Sequence, residues 1–331
     1  MMTNRPFCNV RFCMLLLGAV VSMLGLVQGA GAEYPDKPIR GIVPFAPGGA
    51  NDVMARVISP YITRQLGQTV IVENRPGANG HIGIEATAKS KPDGYTILYS
   101  ATASTVLPAV TKNMRYDPIK DIQPVAEIGQ GPYAVYINPK LPVNSLKELV
   151  EYARKNPGKL NAGAGGVSGT RLAVELFKIQ NNLQLEIISY NGNGPTATAV
   201  VGGVVDMAIM DVSAFVGHLQ SGRVKALALA GEKRLPSLPD VPTTAEAGFP
   251  DLRAGAIFGV YVAAGTPNPI LQKLNATVNG IIVMPEVTEQ LRKLGAEPNP
   301  KTVEQFSALI RKEIETWRDV VAKAKLPMEE Y

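Results

Sequence analysis

Short apolar runs alternate with amphipathic stretches along most of the chain. Ile39–Val43, Thr69–Glu73 and Tyr95–Tyr99 read as strands buried in a parallel sheet. Between them, Val53–Leu66 places Met54, Val57, Ile58 and Tyr61 on one helical face, and His81–Lys89 reads as a short helix. Strand, helix, strand, helix, strand is the alternation of a parallel βαβ sheet. A second block repeats it. Tyr133–Ile137 is a strand, and a helix capped by Asn144 or Ser145 runs through Lys155. An extended segment starts at Leu160, and a helix spans Arg171–Gln180. Strands follow at Leu185–Ser189, Val204–Met210 and Val224–Ala230, with a short helix over Thr196–Val201. Leu235–Asp251 is proline-rich and irregular, Ala256–Ala263 is a long apolar strand, and helices over Pro269–Gly280, Pro285–Leu294 and Thr302–Ala324 close the chain.

Ligands of such sheets sit beyond the carboxyl ends of the strands. Three loops of the first block therefore share one rim: Pro44–Asp52, Asn74–Gly80 and Ser100–Thr105. In Pro44–Asp52 the residues Gly48 and Gly49 let a ligand approach the backbone, and Asn51 or Asp52 is placed to cap the following helix. The open N–H groups and dipole of a helix start favour an anion there, although an ordinary strand–helix turn has the same look. Gly163–Thr170, ahead of the next helix, repeats the pattern about 120 residues later. It is no phosphate loop, because Arg171 follows Thr170 where a lysine and a hydroxyl residue belong. Backbone N–H groups with the Ser168 and Thr170 hydroxyls suit a carboxylate instead. Gly192-Asn193-Gly194-Pro195-Thr196-Ala197 spells a dinucleotide fingerprint, but Gly202-Gly203 stops its helix after two turns, too short for a crossover. Asp206 and Asp211 point to opposite faces of one strand, and Asp211 at the strand end reaches the cleft. Arg171 opens a helix, where a cation is disfavoured; it either binds something acidic or is solvated. Two anion loops in two successive blocks point to two lobes with a cleft between them.

The first 32 residues read as a secretory leader: Arg5 and Arg11, an apolar run from Met14 to Val27, and Ala30-Gly31-Ala32 as the cleavage site. Cleavage after Ala32 places the mature chain in the periplasm of a Gram-negative source and removes Cys8 and Cys13, hence all disulfide and thiolate chemistry. It also lowers the net charge from +5 to +3 (two arginines lost), too small an excess to indicate nucleic acid. No later apolar run reaches the length of a membrane span, and the two histidines, His81 and His218, have no metal-ligand spacing. No cofactor, no metal and no catalytic residue is expected.

These residues together resemble one family, the periplasmic substrate-binding proteins of tripartite tricarboxylate transporters, the Bug-type receptors. The segments that carry the resemblance run in order over nearly the whole mature chain. They include Tyr34–Arg40, Pro44–Asp52, Glu73–Ala78, Pro92–Tyr95, Tyr116–Pro118, Ser168 with Leu172, Tyr190–Pro195, Leu238–Thr243 and Gly265–Pro267. The resemblance implies an α/β, two-lobed periplasmic-binding-protein type II fold, with parallel-type sheets flanked by helices and a ligand cleft between the lobes. Lobe 1 would be residues 33–130 plus 256–331, and lobe 2 residues 131–255. It further implies a monomeric receptor that closes on a small carboxylate, a dicarboxylate among the candidates, and delivers it to membrane subunits of the transporter. Phe45, Pro47, Gly48, Gly49, Asn51 and Asp52 from one lobe, with Gly166, Ser168, Gly169, Thr170 and Arg171 from the other, would clasp one carboxylate. Candidate readers of the ligand's far end are Ser100, Thr102, Ser104, Asn191, Gly192 and Asp211. Arg171 stands where the family commonly has histidine, and a fixed charge there would favour a second carboxylate. Three other readings remain at this point: an exported hydrolase using Ser168 with His81 or His218, a carboxylate sensor rather than an uptake receptor, and a structural or adhesive exported protein, which would show no ligand-dependent closure.

Overall fold

The computed structural model describes residue 1, residues 33–166 and 168–323, residue 326 and residues 328–330. The expected leader, with Cys8 and Cys13, thus lies outside the described residues apart from Met1. Residues 1–36 and residues 37–331 form separate units; the following concerns the second.

Strand β1 (Ile39–Val43) buries Ile39, Ile42 and Val43 completely. Helix α1 (Ala50–Leu66) returns to β2 (Val70–Asn74), and Gly67 ends the helix in the left-handed region, donating to the Thr63 carbonyl. Helix α2 (His81–Ala88) leads to β3 (Thr96–Ser100). Both β2 and β3 pair with β1 in parallel. Helix α3 (Ala103–Val110) and the short β4 (Thr111–Lys112) precede β5 (Ile122–Ile137).

At roughly 3.3 Å per residue β5 is long enough to serve two lobes. Its first part pairs antiparallel with β10 (Gly255–Ala263), which joins it to β3. From Tyr133 onwards it pairs with β8 (Met207–Asp211) and β9 (Lys225–Leu229), also antiparallel. The second lobe adds α4 (Leu146–Lys155), β6 (Asn161–Ala164), α5 (Gly169–Asn181), β7 (Glu186–Ser189), α6 (Asn193–Gly202) and the short α7 (Val216–Gln220). Within it β6 lies parallel between β7 and β8. The chain ends in α8 (Asn268–Ile282), α9 (Pro285–Lys293), α10 (Val303–Lys323) and β11 (Glu329–Glu330), which pairs in parallel with β4.

Two apolar cores hold the lobes. In one, Ile42, Leu98, Val106 and Leu107 meet Phe306, Ile310, Ile314 and Trp317 of α10. In the other, Tyr136, Val200, Met210, Phe215 and Leu229 pack together, with Tyr136 stacked on Phe215.

The sequence pattern and the structure part in four places. The sheets are mixed, because β5 and β10 enter each lobe from the other and so run against its parallel strands. Strand β5 starts at Ile122 rather than Tyr133; Pro124, Gly129 and Gly131 obscure its pattern, and register shifts opposite it absorb the irregularity. Ser100–Thr105 is more than a rim loop, since Ala103 opens a wholly buried helix. Finally α1 begins at Ala50, so Asn51 and Asp52 lie inside it and no side chain caps it.

Candidate functional site

The loops at the carboxyl ends of β1, β3, β6 and β7 each lead into a helix, and the starts of those helices converge. Phe45, Gly49, Ala50, Asn51 and Asp52 line one side of a cavity of about 30 Å³, with Ala101, Thr102 and Ala103 beside them. Tyr133, Gly165, Ser168, Gly169, Thr170, Asn193 and Asp211 line the other side. Helices α1, α3, α5 and α6 all lack a side-chain hydrogen bond to their N-cap position. In α3 the Ser104 and Thr105 N–H groups already donate to the Ala101 and Thr102 carbonyls at 3.2 and 3.1 Å. The first N–H groups of α1, α5 and α6 have no intrahelical acceptor, so their positive ends face the cavity uncovered. Each contributes about half a positive charge at most, so these three together amount to roughly one and a half. Among the described residues no lysine, arginine or histidine side chain lines the cavity.

Local chemistry explains why the caps are open. Asp52, expected as a cap, instead holds the preceding loop: Oδ2 accepts from Gly48 N at 3.0 Å, and Oδ1 accepts from Arg56 Nε and Asn74 Nδ2 at 3.0 Å each. Burial pushes its pKa up, but the hydrogen bonds from Arg56, Gly48 and Asn74 outweigh it and hold it below the ordinary carboxylate value. The buried Asn51 Oδ1 has no hydrogen-bond partner. Ser168 and Thr170 share a hydroxyl–hydroxyl bond of 2.8 Å, and Thr170 Oγ1 also accepts from Gly165 N at 3.2 Å. Tyr133 OH donates to Thr102 Oγ1 at 3.1 Å, and Thr102 Oγ1 donates to the Gly255 carbonyl at 3.3 Å. Asn193 Nδ2 donates to Asp211 Oδ2 at 2.5 Å. Burial pushes the Asp211 carboxyl up to about 6, against the hydrogen bonds from its own N–H and from Asn193.

The lobes meet at the rim. Ala46 N donates to the Asn191 carbonyl at 3.3 Å. A Cβ on Gly194 would stand 2.4 Å from the Pro47 carbonyl oxygen, and one on Gly165 would stand 2.1 Å from Asn193 Oδ1. The glycines here serve loop-on-loop approach between the lobes, beyond the ligand access read from the sequence.

Nine of the sequence candidates line the cavity: Phe45, Gly49, Asn51, Asp52, Thr102, Ser168, Gly169, Thr170 and Asp211. Pro47, Gly48, Asn191 and Gly192 form the rim contact instead. Ser100 and Ser104 bond to each other at 2.8 Å beneath the start of α3. Gly166 lies against Asn79 of the other lobe. Arg171 is not in the lining: its Nη1 donates to Glu329 Oε1 of the C-terminal strand at 3.0 Å. The sequence reading missed Ala50, Ala101, Ala103, Tyr133, Gly165 and Asn193. Tyr133 was legible as the residue where the chain enters the second lobe, and Asn193 as the neighbour of Asn191 and Gly192.

His81 is buried, with Nδ1 3.1 Å from Tyr116 OH and Nε2 3.2 Å from Thr111 Oγ1. The Ser168 hydroxyl meets a hydroxyl, not an imidazole. Among the described residues no cluster of histidine, cysteine or acidic side chains is arranged to hold a metal ion, and no helix is long and apolar enough to cross a membrane.

The family model TctC, tripartite tricarboxylate transporter family receptor, matches residues 54–326. The chain belongs to this receptor family. It is a family of solute-binding receptors, not of enzymes. Protein BugT of Bordetella pertussis is 35% identical to this receptor over 317 residues, covering 95% of it and 97% of BugT. Among solved structures, R. palustris Rpa4515 with adipate is 32% identical, covers 88% of the receptor and 99% of its own chain, and superposes with a TM-score of 0.86. MatC from Rhodopseudomonas palustris with bound malate is 32% identical, covers 87% and 100%, and superposes with a TM-score of 0.83. The two-lobed α/β receptor fold is thus common to all of them.

Proposed function

We propose that this receptor captures a small carboxylate, with a dicarboxylate the first candidate, between its lobes and delivers it to the membrane subunits of a tripartite tricarboxylate-type transporter. The observation that carries the reading is the convergence of three open helix starts on a cavity that no basic side chain among the described residues lines. Such a site offers an anion fixed N–H donors and dipoles without a counter-charge that must first be desolvated. The hydroxyls of Thr102, Ser168 and Thr170 and the amides of Asn51 and Asn193 supply orientation. The adipate and malate held by two similar receptors are dicarboxylates, which supports the ligand class.

Capture follows hinge closure. The crossings near Pro132–Tyr133 and Ala254–Gly255 are the hinge, lobe 1 comprises residues 33–130 and 256–331, and lobe 2 comprises residues 131–255. The mature receptor begins at Glu33, works in the periplasm as a monomer, and presents its closed form to the transporter.

A thermal-shift screen of residues 33–331 against mono-, di- and tricarboxylates, with amino acids and sugars as controls, tests this. A ligand that binds only the folded state raises the melting temperature by mass action. The expected result is a shift with dicarboxylates; a shift confined to sugars or nucleotides would contradict it.

A further inference from the structure

The cavity meant for an anion is lined by two carboxyl groups, Asp52 and Asp211. Arg56, Asn74 and the Gly48 N–H satisfy Asp52 from within its own lobe. Asp211 has no such cation. It ends β8, is 6% exposed, and bonds to the neutral amide of Asn193.

The groups that face it from each neighbouring element are as follows. Strand β5 presents the buried phenols of Tyr133 and Tyr136, whose ionisation burial and the Asp211 charge both oppose. Helix α6 presents Asn193, and α1 presents Asp52 with Arg56 already bound to it. The charges of α5 are spent elsewhere: Arg171 on Glu329, and Lys178 on Glu175. Strand β10, which also meets β8, carries only the phenol of Tyr261, whose ionisation burial opposes, and strand β6 and the turn Val212–Ala214 carry no ionisable side chain.

A carboxylate that enters this space meets a second carboxylate with no cation between them. Two such groups sharing a buried site do not both stay ionised. We infer that ligand capture is coupled to uptake of one proton from solvent, held on Asp211 in the closed receptor, so that its carboxyl group acts as a neutral hydrogen-bond donor beside the bound carboxylate. This rests on the carboxylate reading above. The free group already titrates at about 6, so near neutral pH it is mostly ionised before capture and takes up close to a full proton on binding. The affinity then falls towards tenfold per pH unit above that value. The receptor would load more tightly as the periplasm acidifies and less tightly as its pH rises.

The test is titration calorimetry of the receptor with adipate and with malate at pH 7.5, in phosphate and in Tris, whose ionisation heats differ. The expected result is an apparent enthalpy that depends on the buffer by an amount approaching one proton per acid bound. Across pH 6–8 the affinity should fall as the pH rises. Asp211→Asn keeps a donor of the same shape, so its affinity should no longer vary with pH and its binding heat should be the same in both buffers. Binding by the wild type without proton uptake overturns this inference and leaves the carboxylate reading standing, as does an Asn variant that takes up the same proton. Binding of neither acid overturns the carboxylate reading and this inference together. If the Asn variant does not fold, the buffer and pH dependence of the wild type decides alone.

Discussion

Replacing Gly194 by alanine separates closure of the lobes from folding. Gly194 lies in the first turn of α6, and a Cβ there would stand 2.4 Å from the Pro47 carbonyl oxygen and 3.1 Å from Gly48 C and Gly49 N. All three neighbours are backbone of the opposite lobe, so no side chain can swing aside. The contact has to widen by roughly 1 Å to reach an ordinary separation. Overpacking of this kind costs about 1–3 kcal/mol, which corresponds to a loss of roughly 5- to 150-fold in affinity if only the closed form binds. The open form carries no such clash. Alanine is also the better helix residue, by up to ~1 kcal/mol. Gly194→Ala should therefore weaken dicarboxylate binding in titration calorimetry while the ligand-free melting temperature stays level or rises. Unchanged affinity would refute the claim that these loops meet in the bound state; a lowered ligand-free melting temperature would show that the contact belongs to the fold itself.

Lys301 Nζ reaches the wholly buried Glu127 Oε2 at 3.0 Å, but neither carboxylate oxygen has an aligned hydrogen bond. Lys301→Ala should cost about 3–5 kcal/mol in urea unfolding by leaving a buried charge unpaired. Burial already raises the Glu127 pKa against the pull of Lys301, so the deficit should grow as the pH rises through the raised value. His81 is held down to about 4 by burial, against the field of Glu85. The unfolded chain binds that proton first, so melting temperatures should fall between about pH 6.5 and pH 4, and His81→Phe should flatten that limb even as it loses the Tyr116 and Thr111 bonds. Glu329→Ala removes the Arg171 pair, whose side chains are 28% and 36% exposed; the stability change should stay within about 1 kcal/mol. A much larger drop in melting temperature would make the C-terminal strand a structural tie rather than a surface contact.

Hydrophobic periodicity carried most of the fold. The run Ile39–Val43 is legible because it obeys one environment, a buried strand; of the expected α1 stripe Met54 and Ile58 are buried, whereas Val57 and Tyr61 are half-buried and Ala55 and Ile62 complete the inward face. Strand β5 was half hidden because it obeys two, passing from one lobe to the other through glycines and a proline. Both glycine-rich loops singled out in the sequence line the cavity, because a strand, a glycine turn and a helix bring open N–H groups to one rim. The functional detail was less legible. Asp52 has the look of a cap, but the helix starts two residues before it, and its carboxylate folds back to the loop. Arg171 has the look of a ligand reader, yet its partner is Glu329, 158 residues away in sequence. Tyr133 and Asn193 join the site through the pairing of β5 with β8 and the contact of α6 with α1's loop, neither of which leaves a local pattern.

The central claim is that helix starts, with no basic side chain, recognise an ionised carboxylate. The direct test is calorimetry of residues 33–331 with adipate and, in parallel, with its neutral diamide of nearly the same shape. Tight binding of the acid and none of the diamide is the result this account predicts. Equal binding of the two would show that shape and apolar contact, not the charge at the helix starts, select the ligand.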